Sequence, residues 1–111
     1  MKRRKIFVFG SNNQGRHGAG AALEAREKWG AIYGQAEGLQ GDSYAIVTKE
    51  IRPGKPKISL FDISTGVKRF LDFAIANPKI TFLLTPIATG LAGFKAKDIA
   101  PANLYITVEL K

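Results

Sequence analysis

The chain has 111 residues, 45% of them hydrophobic, and carries a formal net charge of +8. That length holds one domain, residues 1–111, and the apolar fraction is enough for a core. There is no cysteine, which excludes disulfides, thiolate zinc sites and a cysteine nucleophile, and fits a reducing, cytoplasmic setting.

The start is basic. Lys2, Arg3, Arg4 and Lys5 read as a frayed, charged tail to residue 5. The apolar run behind them, Ile6 to Phe9, is too short for a signal sequence or a membrane span, so a soluble intracellular protein with no membrane partner is expected. The positive balance suggests a polyanionic partner such as nucleic acid. A solubilising tail beside solvated helix faces explains it equally well. Neither a zinc-finger spacing nor an aromatic RNA-binding consensus is present.

Lys5 to Phe9 reads as the first strand. Its apolar residues do not alternate with polar ones, which suits a strand buried on both faces. The stretch Gly10 to Gly20, GSNNQGRHGAG, follows directly. A strand, a glycine-rich turn and a helix entry built of small residues make a phosphate-site geometry. Asn12, Asn13, Gln14, Arg16 and His17 can all donate hydrogen bonds to one ligand there. Gly10 and Gly15 match the first positions of the P-loop pattern, but Arg16 and His17 stand where its lysine and hydroxyl belong. Gly15, Gly18 and Gly20 reverse the dinucleotide fingerprint, so neither template is met. An ordinary strand-to-helix turn is the competing explanation.

A helix is expected from about Gly18 to Trp29, with Ala19, Ala22, Leu23 and Ala25 inward and Gly30 as its C-cap. Trp29 reads as a core anchor. Ala31 to Asp42, punctuated by Gly34, Gly38 and Gly41, reads as a connection with a short extended piece. Ser43 to Thr48 is the second strand. Lys49 to Lys57 is a basic loop broken by Pro53 and Pro56. Val67, Phe70, Leu71, Ala74 and Ile75 then mark a helix by their spacing, with Ser64 or Asp62 as cap and Asn77-Pro78 as stop. Ile80 to Leu84 is the third strand.

A second glycine-containing loop, Pro86 to Phe94, leaves that strand. Two such loops on one sheet edge could clamp a diphosphate. Lys95 to Ala100 is compatible with one helical turn, and Leu104 to Val108 with a final strand. Strands alternating with helices imply an α/β fold with a mainly parallel central sheet covered on both faces.

Three blocks together resemble the macrodomain family: FVFGSNNQGRHGAGAALEA from Phe7 to Ala25, GLQGDSYAIVTKE from Gly38 to Glu50, and LLTPIATGLAGFKAKDIA from Leu83 to Ala100. The nearest likeness is to small macro-like proteins of phages and bacteria with GSN…GRHGAGAA and GLAG patterns. The resemblance implies a minimal three-layer α/β/α domain that binds ADP-ribose or a related nucleotide between its two loops. On it, Asn12 would contact the distal ribose, and Gly18, Ala19 and Gly20 the ribose and phosphates. Thr89, Gly90, Leu91 and Ala92 would wrap the diphosphate, and Phe94 would border the distal ribose. Gly10, Ser11, Arg16, His17 and Gly93 complete the expected ligand-binding set. The family's adenine-recognising acidic segment has no counterpart in these blocks.

Some macrodomains hydrolyse ADP-ribose adducts, which makes Asn12, His17 and Asp98 the candidate catalytic groups. His17 is the only histidine and could serve as a general base. Binding a loop carbonyl or a phosphate is the plainer role for it. No paired carboxylates, serine triad or metal-ligand cluster is visible, so no cofactor or metal is expected. The alternative to a small-molecule site is a basic accessory protein that binds nucleic acid.

Overall fold

The computed structural model describes residues 4–49, 59–85 and 107–110. Five strands and two helices occur in the order β1 (Lys5–Asn12), α1 (Gly20–Lys28), β2 (Gly38–Gln40), β3 (Ser43–Lys49), α2 (Leu60–Ala76), β4 (Thr81–Leu84) and β5 (Thr107–Leu110). They form a small α/β domain with one mixed sheet, ordered β2-β3-β1-β4-β5. Only the β2–β3 pairing is antiparallel; β3–β1, β1–β4 and β4–β5 are parallel. The antiparallel β2 is an addition to the expected parallel sheet, in the connection where only a short extended piece was anticipated.

β1 is central because its residues can be buried on both sides. Ile6 and Val8 face one apolar cluster with Tyr44, Ile46, Ile63, Val67, Phe70, Ala74, Phe82 and Leu84. Phe7 and Phe9 face the other, with Ala25, Ala31, Ala45 and Leu83. The first cluster lies under α2 and the second under α1, so the helices cover opposite faces. Topology requires this. The crossover from β1 to β3 moves one way along the sheet and the crossover to β4 moves back, and crossovers of one hand then place their helices on opposite sides.

The helices make contact by different means. In α2, Ile63, Val67, Phe70 and Ala74 form a buried stripe, while Lys68, Arg69 and Asp72 face water. Ile75 belongs to the expected stripe but is 45% exposed. The helix begins earlier than its apolar period suggested. Ser59, rather than Ser64 or Asp62, is the cap, and its hydroxyl accepts from Asp62 N–H at 3.1 Å. Such a cap contributes about 1 kcal/mol. α1 instead lays small residues on large ones. Ala25 is fully buried and Ala21 and Ala22 pack against the phenylalanine cluster. Trp29 closes that side, its ring parallel to Phe7 at 5.3 Å. Ala19, expected to face inward, is exposed.

The basic start is anchored from Arg4 onward. Arg4 Nε donates to Asp42 Oδ1 at 3.1 Å and Nη2 to the Gly41 carbonyl, and its own carbonyl accepts from Thr81 N–H. Lys5 Nζ lies 3.7 Å from Glu109 Oε2. Such exposed pairs contribute little energy, but they neutralise two of the four charges at the start.

At the sheet's antiparallel side, Gln35 turns its amide onto β2, with Nε2 donating to the Glu37 and Leu39 carbonyls, both at 3.1 Å. Arg69 of α2 reaches across to form a two-pronged ion pair with Glu37. Tyr44 lies beneath them. Burial, and then the Glu37 carboxylate, raise its pKa above the ordinary 10.0, against an opposing effect of Arg69. A raised folded-state value means that the unfolded chain ionises first. Stability is therefore kept below pH 10 and falls as pH rises through the folded-state value. Unfolding measured along an alkaline pH series should fall less steeply for Tyr44→Phe than for wild type.

Candidate functional site

The neighbouring parallel strands β3, β1 and β4 carry their carboxyl ends to one edge of the sheet. β1 leads out to α1 on one face and β3 leads toward α2 on the other. Their neighbouring carboxyl ends therefore diverge, which is where open α/β sheets place ligands. The loop 13–19 sits at this crevice.

That loop starts later than its composition implies. Gly10 and Ser11 are still in β1, paired with Ile46 and Val47, and only between Ser11 and Asn12 does the register shift. Ser11 is 4% exposed, and its carbonyl accepts from Thr48 Oγ1. Gly10 and Ser11 thus belong to the sheet's hydrogen-bonded framework. Asn12 then ties the loop to itself. Its Oδ1 accepts from Gln14 N–H (3.1 Å) and Arg16 N–H (3.0 Å), and its Nδ2 donates to the Arg16 carbonyl (2.9 Å). One amide hydrogen is left for anything else. Asn12→Ala removes all three bonds and should destabilise the domain by about 1–2 kcal/mol. Asn12→Asp keeps the two accepted bonds and should lose less. Urea unfolding of the two variants checks the order.

His17 is enclosed. It has no exposed surface, and its ring stands edge-on to Phe9 at 5.2 Å. Its Nε2 lies 3.2 Å from Gln40 Oε1. The orientation of the Gln40 amide follows from its other contacts, since its Nε2 faces the Gln35 and Gly38 carbonyls. Its oxygen must therefore face His17, so His17 Nε2 donates and, in the neutral ring, Nδ1 carries the lone pair. Nδ1 is buried and has no hydrogen-bond partner among the described residues, and the same holds for the Thr85 hydroxyl just beyond β4. His17 contributes to how the loop is held, its Nε2 bonding the Gln40 side-chain amide.

Gln40 was not singled out from the sequence. Besides His17 it takes Ile32 N–H on Oε1 at 2.8 Å. One amide thus joins the loop 13–19, the connection after α1 and strand β2. Nothing local in GLQGD signals this. The only available hint is a long polar residue among glycines at the start of a strand pair.

The open part of the site is Arg16, Gly18, Ala19 and Gly20, all exposed. Ala19 is the N-cap of α1 and offers no side-chain hydrogen bond to the first turn. A helix start of this kind presents backbone N–H groups and the positive end of the helix dipole. An added Cβ at Gly18 or Gly20 would meet nothing within 4 Å. Gly20 has φ +58° and needs glycine for its backbone, but Gly18 has neither a positive φ nor a neighbour to require it.

The second loop, with Thr89, Gly90, Leu91, Ala92, Gly93 and Phe94, lies outside the described residues, as does Asp98. Among the described residues no group of three or more His, Asp or Glu side chains could hold a metal ion, and no helix is long and apolar enough to cross a membrane. No protein-family model, curated protein or solved structure matches the chain.

Proposed function

We propose that this chain binds ADP-ribose, or a related nucleotide diphosphate, at the carboxyl edge of its sheet. The observation that carries the reading is the exposed backbone of Gly18, Ala19 and Gly20 at the uncapped start of α1, beside the crevice between β1 and β3. The first-turn N–H groups from Ala19 onward and the helix dipole favour an anion there, while the Gly18 N–H is taken by the Arg16 carbonyl. Gly18 leaves room for a phosphate where its own fold has no need of a glycine. Arg16, exposed two positions earlier, can add charge to the same anion. In this reading the segment after Thr85, with Thr89 to Phe94, supplies the opposite wall. The reading is of binding and leaves hydrolysis of ADP-ribose adducts open.

Calorimetry of ADP-ribose against the full chain tests it. Saturable binding is expected, lost in Gly18→Val with the melting temperature unchanged, since the new side chain enters open space on the ligand's side. Absence of heat with ADP-ribose and ADP at millimolar concentration rejects the reading.

A further inference from the structure

The turn after Gly30 holds two large apolar side chains in solvent, and it is not loose. Ile32 is 53% exposed and Tyr33 58%. Ile32 N–H donates to Gln40 Oε1, Gln35 N–H to the Ile32 carbonyl at 3.0 Å, and Gly34 N–H to the Gly15 carbonyl at 2.8 Å. The turn also lies against the loop 13–19, backbone to backbone, at Gly15. A constrained backbone thus displays Tyr33 to water. Exposed aromatics held in this way are the usual anchors of binding surfaces.

The surroundings of Tyr33 select the partner. The Arg26 guanidinium of α1 lies over the ring, 5.6 Å from its centroid, a cation–π arrangement. Arg16 is exposed and follows Gly15, the residue bonded to Gly34. Neither Arg16 nor Arg26 forms an ion pair among the described residues. Glu27, next to Arg26, is the acidic residue that a polyanion would have to tolerate. An apolar peptide would leave both guanidinium groups unmatched. An unpaired nucleobase on the ring, with phosphates on the flanking cations, matches all three, and the chain's charge of +8 favours such a partner.

We propose that Tyr33, with Arg26 over its ring and Arg16 on the adjoining loop, is a platform for single-stranded nucleic acid that stacks one unpaired base. The surface shares Arg16 with the Gly18–Gly20 site, but Tyr33 and Arg26 belong to it alone, so it stands whether or not that backbone takes a nucleotide.

The test is fluorescence anisotropy of a labelled oligothymidylate of about 12 nucleotides, titrated with the full chain at several salt concentrations. Wild type should bind at low salt. Tyr33→Ala should weaken binding roughly tenfold or more, and Tyr33→Phe, which keeps the ring, should stay near wild type. Arg26→Gln should weaken binding and flatten the salt dependence. Tyr33→Leu keeps apolar bulk without a π face, and it decides the question if the alanine variant melts early. A duplex of the same length should bind less tightly and ignore Tyr33. Failure of wild type to retain the oligonucleotide at low salt, equal affinity of wild type with both Tyr33→Ala and Tyr33→Leu, or a duplex as sensitive to Tyr33 as the single strand, would each overturn the proposal.

Discussion

Gln40→Leu should be the most damaging single substitution outside the apolar core. Leucine fills similar space, so the loss is of hydrogen bonds rather than volume. The Ile32 N–H and the His17 Nε2–H lose their shared acceptor. His17 has no exposed surface to recover one from water. An unsatisfied buried donor costs about 1–3 kcal/mol; the Ile32 N–H is only part-buried, so the two together give a loss of up to roughly 5 kcal/mol, a large share of a small domain's stability. The Gln35 and Gly38 carbonyls also lose their donor, but they are less enclosed. Gln40→Glu is the informative companion. It keeps the acceptor, loses both donors and places a charge against two carbonyl oxygens, so it should also destabilise. Urea denaturation gives the magnitudes, and hydrogen exchange should show the loss beginning in residues 30–40 and in the loop 13–19.

Gly15→Ala should be nearly as costly, for a different reason. Gly15 has φ +67°, which an L side chain rarely adopts. Its Cβ would lie 2.5 Å from the Gly34 carbonyl carbon and 2.7 Å from Gln35 N. Those are backbone atoms held by their own hydrogen bonds, so they cannot turn aside as a side chain would. Backbone strain of about 1–2 kcal/mol adds to an overpacking cost of about 1–3 kcal/mol. Gly18→Ala is the matched control. With open space and an ordinary φ it should leave the melting temperature within about a degree of wild type, since surface changes of this kind stay within roughly 0.5 kcal/mol. A Gly15→Ala protein as stable as wild type would mean that the loop and the turn at Gly34 do not touch.

These two glycines mark how far the sequence could be read. Their composition looks alike, yet Gly15 is required by contact with a segment some twenty residues away, while the fold does not require Gly18 to be glycine. Apolar runs mark β1 and β4 because burial on both faces leaves no alternation to misread, and Gly41-Asp42 bounds β3. The period of Val67, Phe70 and Ala74 identified α2. Its first turns were hidden because Thr65 and Gly66 favour helix weakly, and Thr65 Oγ1 in fact bonds back to the Phe61 carbonyl. The start of α1 was placed two residues early because Gly18 and Ala19 carry no capping side chain to mark the boundary. β2, three residues long, is too short to show a period, and β5 overlaps the expected stretch Leu104 to Val108 at Thr107 and Val108, with 104–106 outside the described residues. At the candidate site, the sequence leaves His17 as a ligand-side donor, a general base or a partner of a loop carbonyl. Only the meeting of Phe9 and Gln40 around it shows that its ring is inside.

The amide of Gln35 has a consequence for how these molecules behave in a crowd. A strand at the side of a sheet offers its outward carbonyls as a template on which an extended segment of another chain can add. Two carbonyls along this side, Leu39 on β2 and Glu37 just before it, are already taken by Gln35, and Leu39 is otherwise 40% exposed and apolar. One side chain therefore acts as a stopper against fibril-like growth from that side. Concentrated solutions of Gln35→Ala should scatter light and bind amyloid dyes sooner than wild type, even where the folded domain is equally stable.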